Sequence, residues 1–117
     1  SNTSEKVKNL AYVHVWDGFF DIVAVKNREV VLFNSYSFKT DSDIVYFILN
    51  VYKQLILDPN DCKLLFTGWI DKKSSAVVQL NKFIKNIYFE TLNPDHKYSY
   101  HFQDSLPHYF VNFLNIV

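Results

Sequence analysis

Methionine is missing from the 117 residues, cysteine occurs once and glycine only twice. The lone Cys62 excludes an internal disulfide and a cysteine-built metal site, and it fits a reducing, cytoplasmic compartment. Net charge is lacking too. Twelve basic and twelve acidic side chains cancel, which removes the long-range attraction that binders of nucleic acid or anionic membranes carry. Neither partner is expected, and no apolar run approaches the roughly 20 residues that span a bilayer. Scarce glycine bears on phosphate, because turns that cradle phosphate need several glycines to bring backbone N–H groups against the anion.

What is present is the composition of a globular domain. A hydrophobic content of 49% against 21% charged residues is ample for a core without staples, and a chain of this length buries roughly two thirds of its unfolded surface in a single domain. The start Ser1-Asn2, with no methionine, reads as an expression-tag remnant ahead of an excised segment. Residues 1–9 are therefore expected to be tag and flexible N-terminus, and residues 10–117 one domain. Aromatic residues reach 18% and come with many Asn, Lys and Ile. The codons of Phe, Tyr, Asn, Lys and Ile are AT-rich, so codon bias explains the enrichment as simply as an aromatic binding surface does.

Periodicity places the elements. Ala11–Trp16, Phe20–Lys26 and Val30–Phe38 read as three antiparallel strands joined by tight turns at Asp17-Gly18 and Asn27-Arg28. Thr40-Asp41-Ser42-Asp43 has the form of an N-cap with an acid three residues on, opening a helix expected to run to about Leu57 with Ile44, Phe47, Ile48, Val51 and Leu55 buried. Asp58-Pro59-Asn60-Asp61 is the visible stop. Lys63–Thr67 is largely apolar, as a strand covered on both faces should be. A second helix is expected from Ser74 to Lys85, turning Val77, Val78, Leu80, Phe83 and Ile84 inward, and Ile87–Leu92 reads as a fifth strand. After a loop over Asn93–Asp104, Ser105-Leu106-Pro107 starts a last helix from His108 to about Asn115.

A three-stranded meander followed by helix, strand, helix and strand is the order of the ribonuclease H-like α/β unit, a mixed five-stranded sheet that also forms each half of the actin-like ATPase fold. Tyr12-Val13-His14-Val15, the run Val30 to Thr40 with its Leu32-Phe33-Asn34-Ser35, Asp43-Ile44-Val45-Tyr46-Phe47 and Leu64-Leu65-Phe66-Thr67-Gly68 resemble an uncharacterised family of Bacteroidetes proteins with that fold. Its members are roughly double this length. The resemblance covers residues 10–90, implies that this chain is the C-terminal half, and brings no known activity with it.

The resemblance to the actin-like superfamily supplies a test of nucleotide binding. The second phosphate hairpin of that superfamily runs Asp-x-Gly-Gly-Gly-Thr-x-Asp. On this pattern His14 stands at the first acid, Trp16 and Asp17 at two glycines, and Phe19 at the threonine, while Gly18 and Asp21 keep their residue types. The charge of Asp17 and the bulk of Trp16 both oppose a triphosphate. At the base-binding end, Thr67-Gly68-Trp69 resembles a loop that normally carries two adjacent glycines and keeps one. No cofactor is expected, and ATP hydrolysis is not.

Nuclease chemistry fares no better, since two-metal cleavage needs several carboxylates converging on ions about 4 Å apart. The first strand offers His14 and the fourth has no acid. Asp41 and Asp43 do ordinary duty at a helix N-terminus. His96, His101 and His108 match no metal-site spacing, Cys62 has no evident base or oxyanion site, and Lys72, Lys73, Lys82 and Lys85 read as a solvated edge. The expectation is a non-enzymatic scaffold. Trp16, Phe19, Phe20 and Trp69 would form either an interaction surface for a protein partner or the packing face for the N-terminal half, with self-association of the fragment as a further outcome. The rival expectation is a nucleotide-binding module completed by that half.

Overall fold

The computed structural model describes residues 9–89. Its elements follow the expected order: β1 (Leu10–Val15), β2 (Phe19–Lys26), β3 (Glu29–Ser37), α1 (Asp41–Gln54), β4 (Lys63–Gly68), α2 (Ser75–Leu80) and β5 (Ile87–Phe89). The loop from Asn93, the helix expected from His108, the three histidines His96, His101 and His108, and the proposed extension of the fifth strand to Leu92 lie outside the described residues. The sheet order is β3-β2-β1-β4-β5. β1 pairs antiparallel with β2 and parallel with β4, and β4 is parallel to β5. This is the mixed five-stranded α/β sheet of a ribonuclease H-like half-domain, with β1 at its centre.

Alternation decides which side chains meet the helices. Ala11, Val13 and Val15 of β1, Phe20, Ile22 and Ala24 of β2, and Leu64 and Phe66 of β4 join Ile44, Ile48 and Val51 of α1 and Ala76, Val77 and Leu80 of α2 in one cluster. The opposite face carries Leu10 and Tyr12 of β1, Val23 and Val25 of β2, and Leu65 of β4, all buried as well. Both faces of the central strands are thus covered, as their nearly continuous apolar sequence requires.

Local chemistry fixes the joints. Asn27 and Arg28 both adopt positive φ, 53° and 68°, the pair of left-handed residues that a two-residue hairpin turn of matching twist demands. Thr40 caps α1 in a reciprocal box: its hydroxyl accepts from the Asp43 N–H, and the Asp43 carboxylate accepts from the Thr40 N–H at 3.1 Å. Backbone N–H groups of Lys39 and Thr40 on that carboxylate hold the Asp43 pKa below its ordinary value. Asp41 serves α2 instead. Ser74, at the N-cap of α2, makes no side-chain cap bond, and the Ala76 N–H donates to Asp41 Oδ2 at 2.8 Å. One helix start thereby caps the other. No described helix is long and apolar enough to cross a membrane.

Two boundaries differ from the sequence expectation. α1 stops at Gln54, three residues short of Leu57, because Ile56 turns left-handed at φ 54°. The Leu57 N–H then donates to Tyr52 O at 2.8 Å and the Ile56 N–H to Lys53 O at 3.2 Å, the paired bonds of a Schellman ending. Lys26 Nζ adds a bond to Leu55 O at 2.7 Å. α2 ends at Leu80 and not at Lys85, and turns carry residues 81–83. That early end corrects its inward face: Val77, Leu80 and Ile84 are buried, whereas Val78 is 51% and Phe83 57% exposed.

Candidate functional site

β1 and β4 run parallel, so their carboxyl ends open at one edge of the sheet, the place where open α/β sheets usually receive ligands. Two connections leave from there: the β1–β2 hairpin and the β4–α2 loop. They are locked together through Gly68, which lies opposite Val15 in the register. Gly68 has φ 88°, and a Cβ there would overlap the Val15 carbonyl oxygen and lie 2.9 Å from the Val15 nitrogen. The Trp69 N–H donates to that same Val15 oxygen at 2.9 Å. Gly18, φ 84°, has open space where its Cβ would stand. Its glycine character serves the turn, closed by Trp16 N–H to Phe19 O at 2.8 Å, and does not mark a close approach.

Strand alternation from the hairpin places Tyr12 and His14 of β1 on the face away from the helices, level with Asp21 of β2 and Thr67 of β4. They form one polar network. Thr67 Oγ1 lies 2.9 Å from Tyr12 Oη and 2.6 Å from His14 Nδ1. Across the next strand, Asp21 faces His14 in the register, accepts from Trp16 Nε1 at 3.0 Å on one oxygen and from the Ser35 hydroxyl on the other. Tyr12, Thr67 and Asp21 are buried. Burial pushes the His14 pKa below its ordinary value, and the Asp21 charge partly opposes this. The neutral imidazole is favoured, and it suits a chain of hydroxyl partners.

An aromatic cluster rises from this network toward solvent. The rings of His14 and Trp16 are 4.2 Å apart at 56°, and Trp16 stacks on Phe19 at 6.0 Å and 15°. Phe19 is 39% exposed and Trp69 73%, and Asp17 and Gly18 form the exposed tip. The structure therefore gathers His14, Trp16, Phe19 and Asp21 on one face, with Thr67, Gly68 and Trp69 beside them. It corrects Phe20 as a surface residue. Alternation turns that ring to the helix side, fully buried against Tyr36, Phe38 and Phe47 at centroid distances of 5.5, 6.3 and 6.4 Å.

Two members of the network escaped the sequence reading. Tyr12 is two residues from His14 on the same strand, so period-2 alternation was the signal for it. Ser35 had none. The Asn27-Arg28 turn pairs Lys26 with Glu29 and Val25 with Val30, a register that continued would set Asp21 opposite Asn34. A bulge between Ala24 and Val25 shifts the pairing by one residue and brings Ser35 to Asp21.

Among the described residues no group of three His, Cys, Asp or Glu side chains is placed to hold a metal ion, and no buried side-chain nitrogen or oxygen lacks a hydrogen-bond partner. The acid at the end of the phosphate-hairpin pattern is engaged on both oxygens by side chains of the chain itself. Cys62 is buried, its thiol pushed up to about 11 mainly by desolvation, which makes it a poor nucleophile.

A crystal structure of a Bacteroides thetaiotaomicron protein, described as having an actin-like ATPase fold and unknown function, matches with a TM-score of 0.67 and 26% identity over 73% of this chain. The match covers 33% of that protein, so the chain spans about a third of its solved neighbour's length. No curated protein matches significantly. The sequence profile of DUF3822, a set of proteins of unknown function, matches residues 1–87. The chain belongs to the DUF3822 family of proteins of unknown function.

Proposed function

We propose that this chain is a degenerate, non-catalytic actin-like half-domain that acts in protein interaction or assembly. The observation that carries the reading is the hydrogen bond from Trp16 Nε1 to Asp21. A residue at a glycine position of the phosphate-hairpin pattern covers the acid that closes the pattern, and His14 faces the same acid in place of a second carboxylate. What projects from the sheet edge is aromatic: Phe19 and Trp69, with Trp16 behind them. Apolar rings on two loops pinned together by Gly68 make a rigid contact surface, and rigid aromatic anchors dominate protein interfaces. The partner is a protein, either the remainder of the same polypeptide or another chain, and a cytoplasmic setting fits the single reduced thiol.

One observation favours a second reading, a nucleotide-binding module whose other half supplies the phosphate contacts: the solved neighbour with the actin-like ATPase fold is about three times as long as the matched part. Thermal unfolding of this chain and of the full-length protein, with and without millimolar Mg-ATP, separates the two. A ligand that binds only the folded state at 100 times its Kd adds about 2.7 kcal/mol. The scaffold reading expects no shift in either protein, and Trp69→Ala with Phe19→Ser should weaken association with the partner or between copies. A clear upward shift in the full-length protein would refute the scaffold reading.

A further inference from the structure

β3 is an outer strand of the sheet, and among the described residues only β2 pairs with it. Its run from Val30 to Ser37 has no charge, no proline and no glycine, and Val31 is 45% exposed. An outer strand of that composition offers a row of backbone donors and acceptors on which another chain can pair. The first half of β3 is spoiled for such pairing. The register shift at Ala24/Val25 leaves Val31 as an extra residue between Val30 and Leu32, and a bulge of this kind bends and twists the strand that carries it.

The second half is regular and is guarded by a side chain. In an antiparallel pair, alternate residues turn their backbone groups toward the partner strand. The Phe38 N–H donates to Gly18 O at 3.0 Å, so the backbone groups of Tyr36 and Asn34 also turn toward β2, and those of Phe33, Ser35 and Ser37 toward the outer edge. Ser35 stands at the middle of that outward row, and its N–H donates to Asn34 Oδ1 at 2.9 Å. The Asn34 amide is itself held in place. Its Nδ2 donates to Tyr36 Oη at 3.2 Å, and the Tyr36 ring stacks on Phe47 at 4.6 Å and 16° and lies 5.5 Å from Phe20.

We infer that Asn34 closes the outer edge of β3 to a second copy of this chain by occupying the backbone donor at the centre of its regular half. An antiparallel β3–β3 pair is two-fold symmetric, so each copy must give up its Asn34–Ser35 bond before the edges can zip, and the cost is met twice. The bulge and the asparagine thus protect the two halves of one edge by different means. The inference is independent of the function proposed above, since it concerns the strand edge and not the rings of Phe19 and Trp69.

Sedimentation equilibrium of the native chain, Asn34→Ala and Asn34→Gln, with amide shifts followed on dilution, tests it. Asn34 is exposed, so neither replacement disturbs the core, and glutamine keeps the amide while moving its oxygen one methylene away from the Ser35 N–H. Both variants are expected to self-associate about tenfold or more tightly than the native chain, the effect of roughly one net hydrogen bond released per copy. The amide shifts that accompany association should centre on Phe33, Ser35 and Ser37. Unchanged association in Asn34→Ala would overturn the inference. Association of the alanine variant with native behaviour of the glutamine variant would also overturn it, because polarity and not the Ser35 bond would then be the guard. Shifts centred on Phe19 and Trp69 would place the new contact elsewhere and overturn it equally.

Discussion

Gly18 and Gly68 share a backbone class but not an environment, and their alanine variants separate strain from close approach. Both have φ between 84° and 88°, so each L-residue substitution costs about 1–2 kcal/mol of left-handed strain. In Gly18→Ala the new methyl meets open space, and the reduced freedom of the unfolded chain returns part of the cost, leaving about 1 kcal/mol. In Gly68→Ala the methyl overlaps the Val15 carbonyl oxygen, which also accepts the Trp69 N–H. Forcing β1 and β4 apart adds about 1–3 kcal/mol of overpacking and about 1 kcal/mol for the lost bond. The expected loss is about 4 kcal/mol, a large share of the roughly 5–15 kcal/mol that holds a domain together. With a urea slope of about 2 kcal/mol/M, the unfolding midpoint should fall by about 2 M for Gly68→Ala and about 0.5 M for Gly18→Ala. Equal shifts would refute the idea that Gly68 is retained for the close approach of the two loops.

Other expectations follow from single contacts. Ile56, left-handed and 80% exposed, loses little burial when replaced, so Ile56→Gly should stabilise the chain by about 0.5–1 kcal/mol in urea unfolding. Asp41→Ala removes the carboxylate that caps α2 across the helix pair and should cost about 1–2 kcal/mol, where Asp41→Asn, which keeps an acceptor, costs less. His14 has a lowered folded-state pKa, so the unfolded chain binds more protons and stability must fall as the pH drops below about 6.5 toward the folded value. Among the described residues His14 faces Asp21, whose charge opposes the effect, and meets Thr67 and the Trp16 ring. Urea midpoints at pH 7.5 and 5.5 should diverge more in the native chain than in His14→Gln, and equal divergence would remove His14 as the source.

The sequence made the architecture legible where short-range chemistry decides it. Thr40 and Asp43 announce the start of α1, Asn27-Arg28 the tight turn, and the apolar run from Lys63 a strand covered on two faces. The end of α1 was illegible because the left-handed position that stops it holds Ile56, a residue that gives no stop signal, whereas the visible Asp58-Pro59 lies beyond it. Likewise Val78 and Phe83 carry a helical apolar pattern past the point where α2 turns, and only the tertiary contact at Ile84 shows which part of the pattern is used. At the site, His14, Trp16, Phe19 and Asp21 were readable from the hairpin. Phe20 was misplaced because a contiguous aromatic run conceals alternation, and Ser35 was hidden by a bulge that no residue type marks.

Those particulars bear on what the buried Asp21 requires of its neighbours. Without side-chain donors Asp21 would be a buried charge with nothing to hold it, and a buried unpaired carboxylate is costly. Two residues that depart from the phosphate-hairpin pattern meet that acid or the network beside it. Trp16, where a glycine stood in the pattern, donates to Asp21; His14, where an acid stood, faces Asp21 and meets Thr67. Ser35 completes the shell from β3 through a register shift. The indole that donates to Asp21 also stacks on Phe19, so one side chain ties the polar network to the aromatic surface. Trp16→Gly should therefore create no nucleotide site: with His14 and Phe19 in place it removes the donor to Asp21 and the support of Phe19 together. Its expected signature is lost stability with no response to Mg-ATP, and a gain of Mg-ATP stabilisation in that variant would show that the indole alone had been blocking an intact site.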